Sequence, residues 1–225
     1  MKKNLVSEEE WTRIRHTAVA RQIMDRGVKD PRVLAAMREV PRHLFLPPKV
    51  APALAYADRA LGIGHNQTIS QPYIVAFIAE KLNLTGNETV LEVGAGCGYQ
   101  AAILSKLVKW VVSVELIGEL AVFAKQNLER LNITNVEVCQ ADGFNGWMPS
   151  APYDRIAMTA AASRVPEALV AQLNAPGRLV APIGNQSKQQ LILIEKTPNP
   201  LGAPKVTQRD LIPVAFVPMK GEIEK

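Results

Sequence analysis

The spacing of hydrophobic and polar positions changes near residue 85. Before it, SEEEWTRIRHTAVARQIM and PRVLAAMREV place apolar residues at three- and four-residue intervals, the repeat of a helix. Residues 7–40 are therefore expected to be helical. Ser7 caps an acidic first turn, and Asp30-Pro31 opens a second helix that the prolines of VPRHLFLPP end. Residues 41–71 hold no sustained period and read as irregular backbone. YIVAFIAEKLNL, from Tyr73 to Leu84, predicts another helix that stops at Thr85-Gly86.

Beyond that point short apolar runs alternate with helical patterns. TVLEV (89–93), WVVSVE (110–115), VEVCQ (136–140), DRIAMTA (154–160) and RLVAPIG (178–184) predict strands. YQAAILSKLV, GELAVFAKQNLERL and PEALVAQL (166–173) predict helices between them. Strands joined by helices imply right-handed crossovers and a mostly parallel sheet covered on both faces. QQLILIEK and LIPVAFVPM follow without a helix between them, so an antiparallel C-terminal edge is expected. The expected fold class is α/β, doubly wound, with an N-terminal helical extension. One domain over residues 1–225 is expected: an extension, 1–84, that helps build the substrate cleft, and a core, 85–225.

Composition alters this picture little. Apolar residues make up 48% and charged residues 21%, as in an ordinary globular protein and unlike a disordered one. The net charge of +5 comes from 26 basic residues scattered among 21 acidic ones, and only 5% of residues are aromatic. A platform for stacking nucleic-acid bases is poorly supplied, so the reading is a mildly basic solvated surface and no nucleic-acid partner. No apolar run approaches the roughly 20 residues that span a bilayer, so no membrane partner is expected. MKKNLVSEEEW turns acidic where a secretory signal turns apolar. Cys97 and Cys139 lie in separate elements and form no CxxC or Cys/His cluster, which suits a reduced cytoplasmic setting and offers no metal site.

Candidate chemistry gathers where the first three strands of this core end. EVGAGCGYQ follows the first with glycines at 94, 96 and 98. That GxGxG spacing differs from the GxGxxG of dinucleotide binders, yet it still lets a ligand approach the backbone. Glu115 ends the second strand about 20 residues beyond Gly96, the spacing at which a carboxylate accepts ribose hydroxyls. Asp142 ends the third, in QADG, where it could accept from an adenine amino group. Each feature alone could be a tight turn or a helix cap. Together they define a nucleotide-type edge, and without the Lys-Ser/Thr of a P-loop they point to S-adenosylmethionine, which has no pyrophosphate.

HNQTISQP (65–72) concentrates polar side chains just ahead of a helix. Ser70 lacks the flanking glycines of a GxSxG elbow, and no histidine has an acid placed to orient it, so a hydrolase triad is not expected. Thr68 or Ser70 as the cap of the following helix stays open, with Pro72 in its first turn.

DPRVLAAMREVPRHLFLP, AYADRALGIGHNQTISQPYIVA, VLEVGAGCGYQAAILSKLV, VEVCQADG, APYDRIAMTAAA and LIPVAFVP cover almost the whole chain. In these segments the sequence resembles the protein-L-isoaspartate O-methyltransferases, with QTISQP matching that family's own signature. The resemblance implies the doubly wound fold of S-adenosylmethionine-dependent methyltransferases. It implies isoaspartyl-containing proteins and peptides as substrates, methylated on the isoaspartyl α-carboxyl group and repaired through a succinimide. Carried over by motif, Ser70 is the implied catalytic residue. Gln67, Thr68, Ile69 and Ser70, with Gly94, Gly96, Glu115, Asp142 and Gly143, would form the donor site.

The chemistry fits this set. A carboxyl group with a reference pKa of about 3.5 is ionised at pH 7, so no general base is needed. Catalysis then rests on aligning oxygen, methyl and sulfur while excluding water. A serine hydroxyl can donate to one carboxylate oxygen and aim the other, whereas a strong cation would over-stabilise the ground state. Gly62 stands where that family has proline, Asn66 where glycine is common, and LNAPGRLV has one glycine for two. Cys97 reads as a packing residue. A relative that methylates ordinary aspartate in one dedicated peptide is the alternative, and a donor-binding interaction module is a third reading. A monomer is expected.

Overall fold

The computed structural model describes residues 6–48 and 50–222. Its N-terminal third sets helices around a short hairpin. Helix α1 (Glu8–Ala18) starts where the Ser7 hydroxyl accepts from the Glu10 N–H at 3.1 Å, with Glu8, Glu9 and Glu10 in the first turn. It continues through a π-helical turn, Val19–Met24. Helix α2 (Pro31–Glu39) begins at Asp30, whose carboxylate accepts from the Arg32 and Val33 N–H groups.

The stretch 41–71, expected to be irregular, holds more order than its pattern announces. It contains 3-10 turns at Arg42–Phe45 and Pro52–Leu54, and β1 (Leu61–Gly64) pairs antiparallel with β2 (Gln67–Ile69). Strands this short leave no period to read. Helix α3 (Pro72–Lys81) follows at once and ends before the expected Leu84.

The larger sheet is built from β3 (Thr89–Val93), β4 (Trp110–Glu115), β5 (Val136–Gln140), β6 (Tyr153–Met158), β7 (Leu173–Gly184), β8 (Gln189–Thr197) and β9 (Lys205–Val214). Their spatial order is β5-β4-β3-β6-β7-β8-β9, parallel from β5 to β7 and antiparallel thereafter. Helices α4 (Tyr99–Ser105), α5 (Gly118–Arg130) and α6 (Glu167–Gln172) connect the strands. Alternate residues feed two apolar layers. Val90, Val111 and Ala157 join α3, α4 and α5 on one face, and Leu91, Val112 and Ile156 join α6 on the other. Burial on both faces explains the nearly unbroken apolar runs.

The strand boundaries differ most from expectation at β7 and β9. β7 begins at Leu173 rather than at residue 178. β9 covers Lys205–Val214, whereas the apolar run 211–219 was expected to be the strand. Residues 205–210 are all exposed at the sheet edge, so burial imposes no apolar pattern on them. The apolar residues after them cross towards the carboxyl ends of the parallel strands, where Pro218 bridges to Ala161.

The strand order reverses between β3 and β6, and that switch point opens the crevice that open α/β sheets use for ligands. The reading of MKKNLVSEEEW takes in residues 1–5, which lie outside the described residues.

Candidate active site

The turn after β3 forms the floor of a cleft. Gly94 has φ +101°, and a Cβ there would run into Thr159 Oγ1. Only glycine fits both the conformation and the space. The Thr159 hydroxyl lies 2.6 Å from the Gly94 carbonyl oxygen and 3.0 Å from that of Val93, tying the end of β6 to the turn. Glu115, at the end of β4, is 7% exposed. Its carboxylate accepts from the Gly96 N–H at 2.8 Å and from the Ile117 N–H at 2.9 Å. Gly143 packs so closely on Val93 that a Cβ would collide with it. Gly94, Gly96, Glu115, Ile117, Gly143 and Lys220 are among the residues lining this cleft, which together with the solvent space at its mouth measures about 600 Å³. Bare backbone below and a carboxylate at the rim fit a ribonucleoside.

Asp142 stands beside this cleft without being among its lining residues. One carboxylate oxygen caps the turn Gly143–Asn145 through the Phe144 N–H, and the other accepts from the Glu222 N–H at 2.8 Å. Glu222, near the C-terminal end of the described residues, is thus tied to the end of β5.

A second wall comes from the hairpin. His65 and Asn66 both have positive φ, 52° and 57°, as a two-residue turn matched to strand twist requires. Asparagine tolerates that region better than most residues, which accounts for Asn66 where glycine is common. The turn delivers Gln67 and Thr68 to the cleft, while Ile69 is 3% exposed and anchors in the core. Ser70 follows, half-buried. It is not the cap of α3. Gln71 holds the N-cap position without a side-chain hydrogen bond, and Pro72 sets the first turn, so neither Thr68 nor Ser70 caps the helix.

Thr68 also lines two further cavities, and Ser70 lines both of these. One is a junction cavity of about 330 Å³ bounded by Gly94, Gly96, Cys97, Gln100 and Thr159. The other is an open cleft of about 1050 Å³ between α3 and the end of β9, reaching from Arg26, Asp58 and Arg59 to Phe216. Asp58 organises it: its carboxylate pairs with Arg26 at 2.7 Å and accepts from the Gln71 amide at 2.9 Å. The Arg26 guanidinium also lies 3.6 Å over the Tyr73 ring. Behind it Arg42, 0% exposed, donates from Nε to the Ala55 carbonyl at 3.0 Å and from Nη2 to that of Arg59 at 3.3 Å. Burial pulls the Arg42 pKa down, against the opposing influence of Tyr99 and Cys97.

Near the junction, ionisable groups are held neutral. Burial pushes the Cys97 thiol up to about 12 and raises Tyr99 well above the ordinary phenol value. Glu92, on β3, is 0% exposed, and burial pushes it up to about 8 despite a hydrogen bond from the Ser113 hydroxyl. Both cysteines are free and buried. Among the described residues no group of three or more His, Cys, Asp or Glu could hold a metal.

The structure thus brings Gln67, Thr68, Ile69, Ser70, Gly94, Gly96, Glu115 and Gly143 to connected cavities, with Asp142 at their edge holding the turn that carries Gly143. Sequence reasoning passed over Thr159, Ile117 and the segment Val217–Lys220. Thr159 stands at the carboxyl end of a parallel strand, the edge that flagged Glu115, and that position was the available signal.

Comparison with known proteins agrees with this geometry. Residues 14–224 match the family described as protein-L-isoaspartate(D-aspartate) O-methyltransferase. A protein-L-isoaspartate O-methyltransferase 1 of Rhodopseudomonas palustris (strain HaA2) is 49% identical over 92% of this chain and 83% of its own. A protein-L-isoaspartate O-methyltransferase of Methanoculleus marisnigri is 47% identical over 93% of both chains. Among solved structures, a protein-L-isoaspartate O-methyltransferase superposes with a TM-score of 0.83 at 30% identity, covering 93% of this chain and 67% of that one. A Plasmodium falciparum structure named for the same activity, in complex with S-adenosyl-L-homocysteine, gives a TM-score of 0.77 at 25% identity over 92% of this chain and 98% of that one.

Proposed function

The chain belongs to the protein-L-isoaspartate(D-aspartate) O-methyltransferase family, and from that premise we propose how its residues divide the work. The reaction is methylation of L-isoaspartyl residues for protein repair, with S-adenosylmethionine as donor. Bound in the cleft at Gly94 and Glu115, the donor supplies an electrophilic methyl group on a sulfonium. The observation that carries the assignment is the seam at Thr68, which borders the donor cleft, the junction cavity and the open cleft, with Ser70 next to it on the last two.

In this reading the open cleft takes the damaged peptide. Its isoaspartyl α-carboxylate is ionised at neutral pH, so the site needs no base. Cys97 and Tyr99, protonated beside the seam, are consistent with that. Ser70 donates its hydroxyl hydrogen to one carboxylate oxygen and leaves the other facing the methyl. Arg26 and Arg59 both line this cleft, and the charge of Arg26 is matched by Asp58. Glu115 accepts from the ribose hydroxyls, Gly94 and Gly143 admit the donor close to the backbone, and Gln67 and Thr68 form its outer wall. Asp142 acts on the donor through the turn that carries Gly143. Val217 and Met219, bonded to Ala161 at 2.9 and 2.7 Å, close the donor cleft against water.

Ser70→Ala tests this division. Loss of one hydrogen bond to a charged group is worth about 1.5–3 kcal/mol, or about 10- to 150-fold. That loss should fall on kcat, with donor affinity unchanged by calorimetry. A matching loss of donor affinity would make Ser70 a donor contact and remove it from the reaction centre.

We also read residues 1–84 and 85–225 as one domain, since Val33, Phe45 and Tyr73 share an apolar cluster with Val90 and Leu104. A cytoplasmic setting is the accompanying reading, supported by two free cysteines, and a monomer is expected with it. Among the described residues no helix is long and apolar enough to cross a membrane. Light scattering at a single monomer mass is the expected result.

A further inference from the structure

One side chain beside the site has hydrogen-bonding capacity that the protein leaves unused. Gln100, the second residue of α4, is 7% exposed, yet neither Oε1 nor Nε2 has a partner among the described residues. A buried primary amide can donate two hydrogen bonds and accept two. Leaving them unmade costs about 1–3 kcal/mol per group. Its neighbours Tyr99, Ala101 and Ala102 are buried apolar residues of the core, so packing alone would be served by a leucine. Gln100 lines the junction cavity together with Ser70, Gly94 and Gly96.

The direction of the donor through these spaces follows from shared residues. Thr68, Gly94, Gly96 and Thr159 border both the donor cleft and the junction cavity, so one ligand can extend from the first into the second. Glu115 borders the donor cleft and not the junction cavity, and its carboxylate suits a ribose diol, which sets adenosine at that end. The sulfur and methyl then lie near the shared residues, facing Ser70. What remains of the donor is its amino-acid end, with an ammonium and a carboxylate, and the space left for it is the junction cavity.

We propose that Gln100 recognises this zwitterion, Nε2–H donating to the carboxylate and Oε1 accepting from the ammonium. The assignment rests on the donor-site reading above. A neutral amide serves both charges at once, whereas a buried carboxylate or ammonium would repel one of them. Hydrogen bonds to charged groups are stronger than neutral ones, so the unmade bonds of the free protein become part of the affinity for the donor.

Two ligands separate this role from a structural one. S-adenosylhomocysteine carries the amino-acid end, and 5′-methylthioadenosine keeps the adenosine and sulfur without it. Calorimetry on the full chain should show Gln100→Leu binding S-adenosylhomocysteine about 10- to 100-fold more weakly. Its affinity for 5′-methylthioadenosine should stay within about twofold of the unsubstituted protein, a result that also certifies the fold. Gln100→Met, unbranched and close in length, should repeat the pattern. An equal loss for both ligands, or a loss for neither, overturns the role of Gln100 while leaving the donor site standing. If the unsubstituted protein binds neither ligand, the donor-site reading fails and the assignment with it.

Discussion

Replacing Glu92 by glutamine should stabilise the free protein, and should do so increasingly as pH rises. Glu92 is wholly buried on the central strand β3, and its carboxyl is pushed from an ordinary 4.5 up to about 8, chiefly by burial. The native state therefore holds a proton that the unfolded chain releases above pH 4.5. Stability from this group is full below that value and is lost as pH rises through the folded value of about 8. Each pH step between them costs about 1.4 kcal/mol, so the whole span is worth about 5 kcal/mol. Glutamine keeps the shape, can still accept from Ser113, and has no proton to lose. Urea unfolding without donor, at pH 5, 6.5 and 8, gives the difference between variant and parent. It should grow from under about 1 kcal/mol to about 4–5 kcal/mol. Glu80 and Glu88, whose pKa values are lowered by hydrogen bonds that outweigh desolvation, are present in both proteins and cancel in the difference. A pH-independent difference, or one that shrinks with pH, would show that Glu92 is charged in the fold and refute the reasoning.

Glu115→Ala should weaken S-adenosylhomocysteine binding by about 100-fold in calorimetry, since it removes a ribose acceptor and orphans the Gly96 and Ile117 N–H groups. Gly94→Ala should cost about 1–3 kcal/mol in thermal or urea unfolding and abolish measurable donor binding, because φ +101° and the Thr159 hydroxyl both oppose a Cβ. Arg42→Ala should destabilise by about 3–5 kcal/mol in urea unfolding, leaving a large cavity and two carbonyls without donors.

The parallel core was legible because physics writes it twice. Strands such as TVLEV are buried on both faces, so they appear as bare apolar runs, and the glycine turn appears because Gly94 has no substitute. Glu115 could be found because the end of a parallel strand is a fixed place. The hairpin was hidden by its length: strands of three and four residues carry no period, and its His65-Asn66 turn lacks the glycine that usually marks one. The last strand was misplaced because its residues 205–210 face solvent, while the apolar residues after it serve the donor cleft rather than the sheet. Gln100 was invisible for a different reason. A glutamine in a helix is ordinary in sequence, and only burial without partners sets it apart.

In the proposed reaction a donor and an isoaspartyl carboxylate meet at Ser70. Its most direct test gives the purified protein labelled S-adenosylmethionine and two peptides that differ only in isoaspartate or aspartate at one position. Label should enter the first alone as a base-labile ester, and normal aspartate should then accumulate at that position. Label in the aspartyl peptide at a comparable rate, or in neither, would contradict the account.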